Sequence, residues 1–412
     1  MEYGLIGEKL CHSFSKEIYT DYFGLDYDLK ELRKCEVAPF LKTADFKAVN
    51  VTIPYKETVI PHLDFLSDTA KKTGAVNVIL NENGVLKGYN TDFSGMKLMI
   101  EKSGVGLCGK KVLILGDGAT SKTALAVANE LNCKSAIRVS RKGTPDTVSY
   151  AQATKLKDIQ ILINTTPVGM YPNTTEQPID IDCFPHLESV FDAVYNPICT
   201  ALVTKAKAKK ITACGGLYML VSQAIFSARL FKNTSFPDSK FDQIYNDILK
   251  QKRNIVLIGM PSCGKTTVGK ILAEKTGREF IDTDSQITKK YGEIKDIIST
   301  LGEDKFRDFE SEIIAEVSSK NGKVIATGGG AVLRHGNMDL LKQNGKIYFL
   351  DRPFEELVAT PDRPLSSDSE SLKKIYTERY SLYLKYCDEI IKLNTTAEDA
   401  VRRITENENL GN

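Results

Sequence analysis

The chain has 412 residues, 55 Lys and Arg against 53 Asp and Glu for a net charge of +2, 42% hydrophobic and 26% charged residues. That is longer than one ordinary domain and too apolar for wholesale disorder, and the scattered basic residues exclude an overall field for nucleic acid. No apolar run reaches the roughly 20 residues of a membrane span, MEYGLIGEKL has no signal-peptide pattern, and nine cysteines without a CxxC leave neither a disulfide scaffold nor a zinc ribbon, so a soluble cytoplasmic protein with reduced thiols is expected.

Residues 1–102 mix short strands, YGLIG, AVNVTI and AVNVIL, with helical segments. Three polar clusters stand among them: Ser13-Phe14-Ser15, the run from Asn50 to Lys56, and Gly88-Tyr89-Asn90-Thr91-Asp92. Each alone fits ordinary turn and cap chemistry. Together they supply hydroxyls, amides, an ammonium and a carboxylate, the inventory for holding a sugar-like acid while moving a proton. From Lys110 strand and helix alternate (KVLILG, AIRVSR, IQILIN, SVFDAV), which implies a parallel sheet with crossover helices. Gly116-Asp117-Gly118-Ala119-Thr120-Ser121 follows the first of these strands and opens a helix, matching GxGxx plus a small residue; a plain strand-to-helix turn fits it equally. The next strand ends in Ser140, Arg141 and Lys142, where an NAD site carries an acid for the ribose 2′-OH. Cations there point to NADP, the other reading being an exposed basic turn.

The segments HSFSKEIY, NVTIPYK, GAVNV, GYNTDFSG, GDGATSKTA, INTTPVGM, DAVYNPICT and GGLYMLVSQA occur in this order across residues 1–231, and the region resembles shikimate dehydrogenase. The resemblance implies a substrate lobe over 1–102, completed by helices at about 217–235, and a Rossmann-like NADP lobe over 103–216. It implies that Ser13 and Ser15 hold the substrate carboxylate, and that Thr52, Asn77, Asn90, Asp92, Tyr195 and Gln223 surround the ring hydroxyls. Lys56 and Asp92 would be the catalytic pair that reduces 3-dehydroshikimate to shikimate with NADPH. The cofactor would lie against Gly116, Asp117, Gly118, Ala119, Thr120, Ser140, Arg141, Lys142, Thr166, Gly216 and Met219. Ala119 stands where the family has glycine and Ser140 where it has Asn, which bears on the strictness for NADP. A quinate-preferring relative is the alternative within the enzyme class; the presence of both Ser13 and Ser15 favours shikimate.

KNTSFPDSKFDQIYNDILKQKR turns polar, and residues 236–253 read as a linker. Beyond it, IVLIG, KVIATG and KIYFL are candidate parallel strands of a third α/β unit over 254–412. Gly259-Met260-Pro261-Ser262-Cys263-Gly264-Lys265-Thr266 satisfies GxxxxGK[ST] in full. Backbone N–H groups there would cradle the ATP phosphates, Lys265 would reach the β and γ oxygens, and the Thr266 hydroxyl would bind Mg²⁺. Phe280-Ile281-Asp282-Thr283-Asp284 places two carboxylates two apart at a strand end, pointing opposite ways, one for magnesium and one for the phosphate acceptor. FRDFE, TGGGA, DRPL and ERY follow.

This set resembles shikimate kinase over residues 254–404. The resemblance implies that Asp282 joins Thr266 at the magnesium, that Asp284 takes a ring hydroxyl and its proton, and that Arg307 and Arg379 clamp the carboxylate. Gly328, Gly329 and Gly330 would let the backbone approach the ring, and Ser262, Cys263, Gly264, Lys265, Thr266, Thr267 and Arg363 would hold ATP. Without the resemblance, Arg307 and Arg379 read as exposed helix charges. Glu355 to Pro361 brings no added basic residue to the stretch before RPL, so the phosphate clamp would rest on Arg363. Cys263, beside Lys265 at a helix start, is expected to be a favoured thiolate whose alkylation blocks ATP. The expectation for the whole chain is an α/β bifunctional enzyme using NADP(H), ATP and Mg²⁺, with small-molecule substrates and neither nucleic acid nor membrane as partner. A regulatory protein that binds without turnover is the reading from another class, and Lys56, Asp92, Lys265 and Asp284 argue against it.

Overall fold

Runs such as YGLIG, VLIL and IVLI are apolar along their whole length, the pattern of strands covered on both faces, and each lies in the interior of a sheet. The computed structural model describes residues 1–10, 13–358, 368–393 and 396–408, whose strands form three sheets. The chain divides into two compact units, Met1–Asn196 with Lys205–Asn246, and Asp247–Asn412 with Pro197–Thr204.

The first unit holds two of the sheets. One runs in the order Tyr27–Glu31, Tyr3–Gly7, Ala48–Val51, Val78–Glu82, Val85–Tyr89, Phe65–Leu66. Its first three strands are parallel, and Val78–Glu82 then pairs antiparallel with both its neighbours. Asn83 and Gly84, at φ 54° and 89°, make the two-residue hairpin turn that needs left-handed backbone. The other sheet is parallel throughout, in the order Thr212–Cys214, Ser189–Asp192, Ile161–Asn164, Lys111–Leu115, Ser135–Ser140, Val148–Ser149. Lys111–Leu115 lies between the strands that follow it on either side, so the order reverses there and a crevice opens at the strands' carboxyl ends. Helix Leu217–Lys232 returns the chain to the first sheet and packs on Ser15–Phe23 and Thr91–Lys102.

In the second unit the parallel order is Phe280–Asp282, Val324–Ala326, Asn254–Ile258, Gly345–Asp351, Glu389–Lys392. The α/β class and the parallel sheets thus agree with the sequence. The stretch 236–253, read as a linker, contains the division between the units at Asn246 and Asp247 and is helical over Ser239–Lys252, with Phe241, Ile244 and Ile248 buried. Its polar composition hides an apolar stripe at helical spacing. Among the described residues no helix is long and apolar enough to cross a membrane.

Candidate active sites

Lys56 follows the strand Ala48–Val51, and Asp92 sits in the first turn of helix Thr91–Lys102. Their side chains, 13% and 10% exposed, meet with Nζ 2.6 Å from Oδ2. Both ends are held. The Lys56 carbonyl accepts from Val76 N at 2.8 Å, and Asn90 Oδ1 caps the Asp92 helix by accepting from Phe93 N at 3.1 Å. Asn77, next to Val76, accepts from Thr91 N at 2.7 Å, donates to Thr91 Oγ1 at 2.9 Å and lies 3.5 Å from Gln223 Oε1. Lys56, Asn77, Asp92 and Gln223, far apart in sequence, therefore form one polar cluster. Asn90 does something other than expected: its amide nitrogen donates to Thr73 Oγ1 at 2.8 Å and to the Ala75 carbonyl at 3.0 Å. It is buried and builds the wall of the site, because the helix cap and the preceding loop use its polar atoms.

Ser13 Oγ accepts from Ser15 N at 3.2 Å, and the Phe14 and Tyr195 rings lie 5.2 Å apart. Burial pushes the Tyr195 hydroxyl up to about 12, a hydrogen bond with Ser13 pulling the other way, so it stays a donor at neutral pH. The Thr52 methyl packs beside Gly7 at the end of the neighbouring strand.

At the first glycine loop, Gly116 has φ 119°, and a Cβ there would stand 2.6 Å from Thr165 Oγ1. Only glycine suits that turn. Helix Ala119–Glu130 starts at Gly118 without a side-chain cap, leaving N–H groups and the positive dipole end for an anion; Thr120 belongs to its first turn. Thr166 Oγ1 donates to Asn164 Oδ1 at 2.7 Å near this turn. Gly216 lies tight against the Ala193 carbonyl and caps the helix that carries the buried Met219. Ser140 Oγ accepts from Gly143 N at 3.0 Å and lies 2.7 Å from Thr147 Oγ1, closing the turn on which Arg141 and Lys142 stand exposed. Sequence reasoning missed Arg138, two residues before Ser140 and hence on the same strand face. Its Nη1 is 2.9 Å from Asp117 Oδ1, so a guanidinium faces the carboxylate inside the glycine loop.

In the second unit the loop after Asn254–Ile258 passes Ser262 at φ 61° and Gly264 at φ 103° into helix Lys265–Thr276, again with no side-chain cap. Lys265 Nζ is held by the carbonyls of Gly259 at 2.9 Å and Met260 at 2.8 Å. Thr266 Oγ1 donates to Asp282 Oδ2 at 2.8 Å, with the exposed Thr267 alongside. A hydroxyl and a carboxylate brought together at the helix start are the oxygen donors magnesium takes when it keeps several waters. Two expectations change here. The chain turns helical after Asp282, whose Oδ1 accepts from Asp284 N at 3.1 Å, so the two carboxylates diverge through a helix cap and not through strand pleating. Cys263 is fully buried, its Sγ packed over Gly259, which removes the accessible thiolate and with it the alkylation expected of this residue. The loop curls around its own small side chain, and only Cys263's backbone faces outward chemistry.

Arg307 and Arg379 are buried, not exposed helix charges. Arg307 donates to Glu310 Oε2 at 2.8 Å and to Glu303 Oε1 at 2.9 Å. A Cβ on Gly330 would fall on its guanidinium, and one on Gly328 would stand 2.5 Å from Asp284 Oδ1 and 2.7 Å from Glu310 Oε1. Tyr383 Oη donates to the Gly329 carbonyl at 2.5 Å. The three glycines thus let backbone, Arg307 and two carboxylates converge. Glu310 Oε1 and Arg379 Nε are buried and have no hydrogen-bond partner among the described residues, so this wall has bonding capacity for a polar ligand. Burial pushes the Glu310 carboxyl up while Arg307 pulls it down. The sequence assigned Glu310 no role, although its i+3 spacing from Arg307 was the available signal. Arg363 lies outside the described residues.

The family model described as "Shikimate dehydrogenase substrate binding domain" matches residues 5–79, and that described as "Shikimate kinase" matches residues 261–408. The chain is 36% identical over 258 residues to a shikimate dehydrogenase (NADP(+)) of Clostridium beijerinckii, covering 58% of this chain and 95% of the relative. It is 41% identical over 157 residues to a shikimate kinase of Clostridium botulinum, covering 37% of this chain and 95% of the relative. The crystal structure of shikimate dehydrogenase 1 from Peptoclostridium difficile superposes with a TM-score of 0.56 at 34% identity, over 60% of this chain and 98% of that one.

Proposed function

Because the chain belongs to the shikimate dehydrogenase family in its N-terminal part and to the shikimate kinase family in its C-terminal part, an oxidoreductase joined to a phosphotransferase of one pathway, we propose that it reduces 3-dehydroshikimate to shikimate with NADPH and phosphorylates shikimate to shikimate 3-phosphate with ATP. The observation that carries the first reaction is the Lys56–Asp92 pair, 2.6 Å apart and largely buried at the polar cluster. NADPH, when bound, supplies the hydride that converts the C3 ketone to an alcohol. Lys56 stabilises the charge developing on the ketone oxygen and delivers the proton; Asp92 aims Lys56 and accepts a hydrogen bond from the neighbouring hydroxyl. Ser13, Ser15 and Tyr195 offer hydroxyl donors to the carboxylate, and Thr52, Asn77 and Gln223 the remaining polar contacts. On the cofactor side, the glycine loop and uncapped helix start suit the pyrophosphate, Arg141 and Lys142 the 2′-phosphate, and Thr166, Gly216 and Met219 the nicotinamide end.

For the second reaction, Asp284 receives the proton of the attacking hydroxyl, Arg307 and Arg379 fork onto the carboxylate, and Lys265 leaves its carbonyl partners for the phosphates. Thr266 and Asp282 would hold Mg²⁺, which would supply positive charge against the transferred phosphoryl group. The two lobes of the dehydrogenase are assigned to 1–102 with 217–235 and to 103–216, and the kinase to 254–412.

The test is one incubation of the full chain with 3-dehydroshikimate, NADPH, ATP and Mg²⁺. Shikimate 3-phosphate is the expected product. Its absence with NADPH unconsumed overturns the first half of the proposal, and its absence with NADPH consumed and ATP intact overturns the second.

A further inference from the structure

Strands Asn254–Ile258 and Gly345–Asp351 are neighbours in register, Ile258 beside Phe349, so the loops leaving their carboxyl ends open on the same crevice. The first of these loops is the phosphate loop. The second begins with Arg352, a residue to which sequence reasoning gave no role. Its Nε donates to the Cys263 carbonyl at 3.3 Å, and its Nη2 stands 3.8 Å from where a Cβ on Gly264 would lie. Its Nη1 is 3.4 Å from Glu356 Oε2, one turn further along. The side chain is 29% exposed, enough to meet a ligand and too little to swing freely.

We propose that Arg352 is a phosphate-binding residue of the kinase, a second cation fixed against the phosphate loop beside Lys265. Two features carry this. Gly264 is the last loop residue before an uncapped helix start, the point at which backbone N–H groups converge on an anion, and the guanidinium lies against that point. Arg352 is also rooted at a strand end, so the fork is held in place before nucleotide arrives, and a planar fork binds phosphate oxygens through two parallel bonds. The residues between Glu355 and Pro361 add no cation of their own, so Arg352 would be a second cation beside the clamp that the sequence assigns to Arg363. Glu356 acts as its counter-ion in the absence of nucleotide.

The inference rests on the reading of this loop as the ATP site, and ADP binding by the parent chain tests that reading separately. The experiment compares Arg352→Ala, Arg352→Lys and Glu356→Gln in the full chain. For Arg352→Ala we expect KM for ATP and Kd for ADP to rise about tenfold, KM for shikimate to stay within twofold, and NADPH oxidation to be unchanged. Arg352→Lys should fall between parent and alanine variant, since it keeps the charge and loses the fork. Glu356→Gln should tighten ADP by removing the competing carboxylate. An ADP Kd within twofold of parent in Arg352→Ala overturns the proposal. So does an equal rise in the KM values for ATP and shikimate, because an arginine that only braces the loop would disturb both substrates alike.

Discussion

Asp117 and Arg138 place opposite charges where the first glycine loop meets the next strand, 2.9 Å apart. An uncompensated carboxylate in a loop that receives a pyrophosphate would repel it; the guanidinium cancels the charge but is itself occupied in doing so. Asp117→Asn should free the guanidinium for the cofactor's phosphates. The expected result is a KM for NADPH lowered about threefold, measured by initial rates, with a smaller change for NADH, which lacks the 2′-phosphate. A raised KM for NADPH would mean that the carboxylate itself binds cofactor. Arg138 was legible only in part: the alternation of AIRVSR puts it on the face of Ser140, but the partner on the glycine loop lies 21 residues away and no local pattern encodes the meeting. Arg307 and Arg379 make the same point. On their helices they look like solvated charges, and burial beside Glu310 and the three glycines appears only when those segments come together.

At the scale of elements, the polar cluster of the first unit depends on how closely helix Thr91–Lys102 approaches helix Leu217–Lys232. Gly95 sets that distance: a Cβ there would stand 2.8 Å from the Met219 carbonyl and 3.0 Å from Gln223 N. Gly95→Ala should therefore push the second helix outward, moving Gln223 and Met219 from Asp92. A loss of about 1–3 kcal/mol in the stability of this unit is expected, together with a raised KM for the dehydrogenase substrate. Thermal unfolding and initial rates check the two parts, and an unchanged Tm would contradict the close packing. Asn90 and Asp282 cap their helices with side chains, whereas the helices after Gly118 and Gly264, like several others, begin without a side-chain cap. At these two the helix start follows a glycine loop, where an anionic ligand can satisfy the N–H groups. GxGxx and GxxxxGK[ST] announced both loops in the sequence, because the backbone conformation they need restricts the residue types allowed.

At the scale of the whole molecule, each candidate site has its charged and hydroxyl groups inside its own unit, Lys56 and Asp92 in one, Lys265, Thr266 and Asp284 in the other. Lys56→Met should lower NADPH oxidation by roughly 10²–10⁴-fold and leave kinase turnover close to parent. Lys265→Ala should do the reverse. Assaying both activities on each purified, folded variant checks this, and loss of both in either variant would end the picture of independent chemistry. The sequence by itself determined the α/β class, the two nucleotide loops and the family of each part, because strand patterning and glycine spacing are local constraints written in consecutive positions. Helix Ser239–Lys252, the buried Cys263, the commitment of Asn90 to a cap, and the places of Arg138, Arg352 and Glu310 were decided only by tertiary structure. Burial and charge pairing arise between segments distant in the chain, and a side chain's role follows from what folding brings against it.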